Sequence, residues 1–92
     1  MRSYYLVRSL GPQTSQIMAI HIIFDSAIVC YRGLLRQFKA DALELVQLVV
    51  DERGLSQTEG VLVCYSKSVG KIQLYFESMK QYFLPEECVA CY

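Results

Sequence analysis

Apolar residues run through this chain at spacings that read first as helical. Ile17 to Tyr31 is apolar on nearly every face, interrupted by His21, Asp25 and Ser26. Thr14 or Ser15 offers a hydroxyl to cap such a helix. A helix of this length would extend about 22 Å, short of the roughly 30 Å of bilayer hydrocarbon, and a mid-segment Asp would be costly there. The pattern therefore predicts a buried or partner-binding helix and no membrane span. His21 and Asp25 would lie one turn apart on it, as a local side-chain pair. From Tyr31 the period continues, with Leu34, Leu35 and Phe38 on one side and Arg32, Arg36 and Lys39 on the other. Asp41 to Val50 follows with helix formers, Leu45, Leu48 and Val49 recurring at helical spacing, and Gly54 is a natural stop. A single helix from about Tyr31 to Glu52 competes with two shorter ones, since no Gly or Pro separates Phe38 from Ala42. Ser56 and Glu59 have the spacing of a capping box. Ile72 to Phe83 reads as a further amphipathic helix, ended by Pro85. The competing reading joins Val61–Tyr65 to Ile72–Phe76 as a β-hairpin, because both runs are rich in branched and aromatic residues and Gly70 lies between them.

An internal correspondence favours helices. Gly33, Leu34, Leu35 and Phe38 fall 27 positions before Gly60, Val61, Leu62 and Tyr65, and Val46 and Val49 fall 30 before Phe76 and Met79. Periods of this size belong to helical-hairpin arrays. The expectation is an all-α fold, a short α-solenoid-like array of antiparallel helical hairpins over 17–92, with units at about 31–57 and 58–86. The alternative is α+β with a hairpin at 61–76. Residues 1–16 form a separate N-terminal segment. It carries Arg2, Arg8, Ser3, Ser9, Thr14 and Ser15, with no acid before Asp25, which is the composition of an organellar targeting peptide. Tyr4–Val7 also reads as a short strand, and Gly11-Pro12 is a break.

Composition narrows the function classes. Hydrophobic residues make up 53% of the 92 and charged ones 20%, which excludes intrinsic disorder and fits one small domain. Nine basic and nine acidic residues cancel, so no global field attracts nucleic acid or an anionic surface. The four cysteines are unevenly spaced and read as reduced thiols. Cys88 and Cys91 have the spacing of a metal or redox pair, but further ligands at motif spacing are lacking. No phosphate loop, nucleophile elbow or paired-carboxylate arrangement appears, so neither an enzyme nor a cofactor is expected.

The second unit carries Val61-Leu62, Tyr65 to Ser68, Leu74 to Lys80 and Leu84 to Glu86 at spacings that resemble a pentatricopeptide repeat. The first carries Tyr31, Leu34, Leu35 and Phe38, then Ala42 to Leu45 and Gly54-Leu55. The likeness covers about 55 residues of the chain, mostly apolar ones. Both units are shorter than the family's, with Val69 where it places Gly and Thr58 where it places Tyr. The resemblance implies single-stranded RNA binding in organellar RNA processing, in a mitochondrion or plastid. Repeats of this kind read one base each with two or three side chains. The base-reading positions would fall at Arg32 and Glu59, with second positions near Thr58 and Glu86, and Arg36, Lys39 and Lys67 would supply phosphate contacts. Glu59 with Glu86 would set two carboxylates against RNA. Two other readings stand beside it: a helical protein–protein interaction module docking through the apolar 17–31 helix, cytoplasmic and without RNA, or a truncated copy without function.

Overall fold

The computed structural model describes residues 1–37, 41–54 and 57–90. It is an α+β fold, not an array of helical hairpins. Strands β1 (Arg2–Leu10) and β2 (Ser15–His21) precede one helix, α1 (Phe24–Gln37). Strands β3 (Ala42–Val50), β4 (Gln57–Ser66) and β5 (Lys71–Leu74) follow, then 3₁₀ helices at Glu77–Tyr82 and Pro85–Glu87, and a short β6 (Cys88–Ala90). All six strands form one sheet in the order β2-β1-β3-β4-β5-β6, antiparallel except for β5 with β6.

Two connections cover one face of this sheet. Because β2 and β3 both run antiparallel to β1, α1 is the crossover between two parallel strands that flank a third. It buries Ala27, Ile28 and Tyr31, with Phe24, Leu34 and Leu35 packed at the margin, which is the one-sided stripe of a helix on a sheet. Asp25 in its first turn and Arg36 in its last suit the helix dipole. The second crossover is the pair of 3₁₀ helices, whose Met79 and Phe83 enter the same cluster as Val7, Leu45, Val63 and Leu74.

Tyr31 ties the helix to the sheet. Its hydroxyl donates to the Leu43 carbonyl at 2.6 Å and accepts from the Tyr65 amide at 3.1 Å. Leu43 and Tyr65 are partners across β3 and β4, so one buried hydroxyl satisfies a group on each strand. Burial, then the negative charge that Cys64 and Glu44 would place nearby, push the Tyr31 phenol well above its ordinary value, against a smaller lowering by the Tyr65 amide.

The corrections to the sequence reading have physical causes. Residues 17–31 are not one helix: β2 ends at His21, and α1 begins at Phe24. Hence His21 and Asp25 lie on different elements and are not a pair one helical turn apart. The stretch read as helix at Asp41–Val50 is β3, and the single helix from Tyr31 to Glu52 breaks after Gln37. Ser56, the expected cap, lies outside the described residues, and the segment after it is β4. Val61–Tyr65 and Ile72–Leu74 pair antiparallel, which is the competing hairpin. Gly70, at φ +75, supplies its turn, and Gly54, at φ +70, turns β3 into β4 instead of capping a helix. The 27-residue correspondence therefore matches Gly33, Leu34 and Leu35 of α1 against β4, Phe38 lying outside the described residues, and the 30-residue one matches β3 against Phe76 and the 3₁₀ Met79. Residues 2–10, set apart with the N-terminal segment, form a strand between β2 and β3, and the expected boundary at 16/17 falls inside β2.

Two β-bulges add a helix-like spacing to β2 and β4, whereas β3, read as helix from Leu45, Leu48 and Val49, carries no inserted residue. In β2, Val7 faces Ala19 and Arg8 faces Ile17, so Met18 is inserted; in β4, Leu45 faces Val63 and Val46 faces Val61, so Leu62 is inserted. Met18 with Ala19, and Leu62 with Val63, accordingly all pack in the helix-side core. The residues facing away then recur three apart, Ile17 with Ile20 and Val61 with Cys64. Strand bulges thus imitate helical spacing.

Candidate functional site

The strand register sorts every side chain to one face of the sheet or the other. Away from α1 stand Tyr4, Leu6, Arg8 and Leu10 of β1, with Ile17 and Ile20 of β2 beside Arg8 and Leu6. Glu44, Val46 and Leu48 of β3 and Glu59, Val61 and Cys64 of β4 continue the same face. Among the described residues, no helix lies over it.

Arg8 covers the middle of this open face. Its Nε donates to Glu44 Oε1 at 2.9 Å, its second guanidinium nitrogen lies at 2.9 Å from the same oxygen, and the third reaches Glu59 Oε2 at 3.5 Å. A line from Arg8 on β1 to Glu59 on β4 crosses β3 at Val46. Val46 is 0% exposed and Leu6 5%, although both face away from the helix. The Arg8 ion pairs span the position of Val46, so the Arg8 stem covers it while the charge stays at the rim. Burial lowers the pKa of Arg8, but the hydrogen bond and charge of Glu44, then Glu59, outweigh it and hold the pKa above its ordinary value.

Toward β2 that shield ends. Ile17 and Ile20 are 53% and 60% exposed, and Ile22 and Ile23, between β2 and α1, are 75% and 63% exposed. Val29 on the outer side of α1 is exposed as well. No Asp, Glu, Lys or Arg occurs between Arg8 and Asp25. β2 is also the edge of the sheet, and among the described residues no strand lies beyond it. An edge strand presents unpaired backbone donors and acceptors, and proteins ordinarily blunt such edges with charge, proline or brevity. β2 bulges, but it has seven residues, no proline and no charge.

The residues expected to contact RNA do not converge. Arg32 donates to the Tyr82 carbonyl, lies 3.7 Å from Glu87 and stacks over the Phe83 ring at 5.2 Å, so it holds the second crossover to α1. Arg36 lines a small cleft with Arg32, Phe83 and Glu87. Glu59 is on the opposite face of the sheet, joined to Arg8. Lys67 is exposed in the β4–β5 turn, where its amide donates to the Asp41 carbonyl. Lys39 lies outside the described residues. Among the described residues there are no helical hairpins to line up base-reading positions, and Arg32 and Glu59 sit on a helix and a strand.

Other chemistry is sparse. Among the described residues, no group of three or more His, Cys, Asp and Glu is placed to hold a metal ion. Cys91 lies outside the described residues. Burial, then Glu87, push the Cys88 thiol up, and its hydrogen donates to the Leu84 carbonyl at 3.3 Å. Burial and Glu44 push the Cys64 thiol up as well, so both are poor nucleophiles. A cleft of about 320 Å³ beside the start of α1 is lined by Tyr5, Phe24, Leu62, Phe76 and Tyr82, an aromatic surface without an acid–base pair. The Nε2 of His21 is buried with no hydrogen-bond partner among the described residues. No described helix is long and apolar enough to cross a membrane.

Comparison with protein-family models, with curated proteins and with solved structures finds no match to this chain.

The apolar run 17–31, expected as one partner-binding helix, is divided between β2 and α1, and the exposed isoleucines lie within it. The edge position was not legible, because it depends on strand order across residues far apart in the chain.

Proposed function

We propose that the protein is an interaction module that binds a protein partner along the β2 edge. The observation that carries this reading is an edge strand without charge or proline, continued by four exposed isoleucines, Ile17, Ile20, Ile22 and Ile23. A partner strand laid against β2 would satisfy its outer backbone groups while covering Ile17 and Ile20. This is strand addition, in which main-chain hydrogen bonds supply affinity and alternate side chains supply selectivity. Several exposed isoleucines beside a strand edge are unusual on a protein that acts alone. On the open face beyond it, Arg8, Glu44 and Glu59 pair with one another and not with the β2 edge.

RNA binding has less support. The net charge is zero, and Arg32 is engaged by Tyr82, Glu87 and Phe83. Photo-crosslinking separates the two readings. A photoreactive amino acid is placed at Ile20, and in a control at Arg53 on the β3–β4 turn, in the full chain expressed in cells. Discrete protein adducts from position 20, absent from position 53, are expected. Adducts to RNA alone, or none from either site, would overturn the interaction reading.

A further inference from the structure

Resting on that reading, we infer that the occupant of the β2 edge is a second copy of this chain, joined β2 to β2 about a two-fold axis. Symmetric pairing of antiparallel strands sets each edge against its own image, so any charge on the strand would meet a like charge close by. β2 carries none, and the nearest charged residues along the chain are Arg8 and Asp25. Two copies with a formal net charge of zero also do not repel one another at a distance.

The alternative head-to-tail arrangement would pair β2 with the other edge of a second sheet. That edge is β6, with three described residues against the seven of β2, so most of the outer backbone groups of β2 would stay unpaired. β2 against β2 matches strand length and closes after two copies. With a two-fold axis perpendicular to the sheet, both α1 helices fall on one side and both open faces on the other. Pairing centred near Met18 and Ala19 brings Ile17 of each copy close to Ile20 of the other. It also carries Ile22 and Ile23 past the first residues of the facing strand. Ile17 and Ile20, which the fold leaves in water, then lie at the seam in the middle of one continuous sheet.

Light scattering after size exclusion, run on the full chain across a dilution series, gives the first test. A dimer that dissociates on dilution is expected. A double variant Ile17→Lys with Ile20→Lys, and a second with Ile17→Glu and Ile20→Glu, should each weaken self-association by about a hundredfold or more, because like charges then face each other. Mixing the two should restore a dimer with one copy of each, which an interface elsewhere would not produce. Where either variant fails to fold, amide hydrogen exchange of residues 15–21 in the unaltered protein decides. Protection that rises with concentration supports the pairing, and exchange independent of concentration overturns it. An unaltered chain that is monomeric throughout, or a dimer that survives both charge variants, also overturns it. A monomer that still gives protein adducts at position 20 would end the self-pairing but leave the interaction reading standing; a monomer without adducts would end both.

Discussion

The two faces of the sheet bury their apolar residues by different means. On one face, α1 and the 3₁₀ crossover cover Val7, Leu43, Leu45, Val63, Ile72 and Leu74 with other apolar groups. On the other, Val46 lies beneath a single arginine and its carboxylate partners, and β2 keeps exposed isoleucines. A helix laid across strands removes a broad area from water and fixes many side chains at once. One long polar side chain protects only what its stem spans. The helix side is therefore where stability resides, and the β2 side is where apolar surface remains for association.

The largest expected effect tests that division directly. Leu45→Ala, on the helix side with no exposure, should cost about 2–5 kcal/mol. Ile17→Ala on the open side should change stability by less than about 0.5 kcal/mol. Urea denaturation of dilute protein measures both, and equal losses would remove the contrast.

Next is Tyr31→Phe, which keeps the ring but leaves the Tyr65 amide without its acceptor and the Leu43 carbonyl without the hydroxyl. A loss of about 1–3 kcal/mol is expected, the range for a buried group left unpaired. Retention of full stability would show that the ladder between β3 and β4 closes without the hydroxyl.

The pH dependence should point to the same residue. Folding raises the pKa of Tyr31 from 10.0, and those of Cys64 and Cys88 from 9.0. The folded state thus keeps protons that the unfolded state releases, so stability is full below about pH 9 and falls as pH rises further. Each such group contributes up to about 1.4 kcal/mol per pH unit above its unfolded value. Thermal melts from pH 8 upward should show this decline, and Tyr31→Phe should flatten the part above pH 10. Stability that is flat or rises in that range would contradict the burial of these groups.

The smallest effect belongs to the open face. Arg8→Ala uncovers Val46 and should cost about 1 kcal/mol. Arg8→Met combined with Glu44→Gln removes the charges but keeps a stem over Val46, and should lose less than Arg8→Ala. A double variant as unstable as the single one would assign the effect to the ion pair and not to the cover.

Some of this organisation is readable in the residues themselves. Gly11-Pro12 and Gly70 mark turns, the hairpin expected at 61–76 forms over Val63–Ser66 and Lys71–Leu74, and the apolar 17–31 run contains the exposed isoleucines. The Arg8 cover has no sequence signal, because Arg8, Glu44 and Glu59 are far apart along the chain and meet only through strand order. The larger error lies in the internal correspondence and in β3, where Leu45, Leu48 and Val49 recur at a spacing that a helix also shows although the segment is a strand.

By itself, the sequence determined that this chain packs a core, carries no net charge and places an uncharged apolar stretch between Arg8 and Asp25. Those properties belong to residue types and their local order. Tertiary structure alone decided that β1 lies between β2 and β3, that Ala42 to Val50 extends as a strand, and that β2 ends the sheet. Leu and Val fit a helix or a strand nearly as well, so the choice passes to the neighbours that bury them. For β3 those neighbours are β1 and β4, and among the described residues β2 has β1 alone, which leaves its outer edge open.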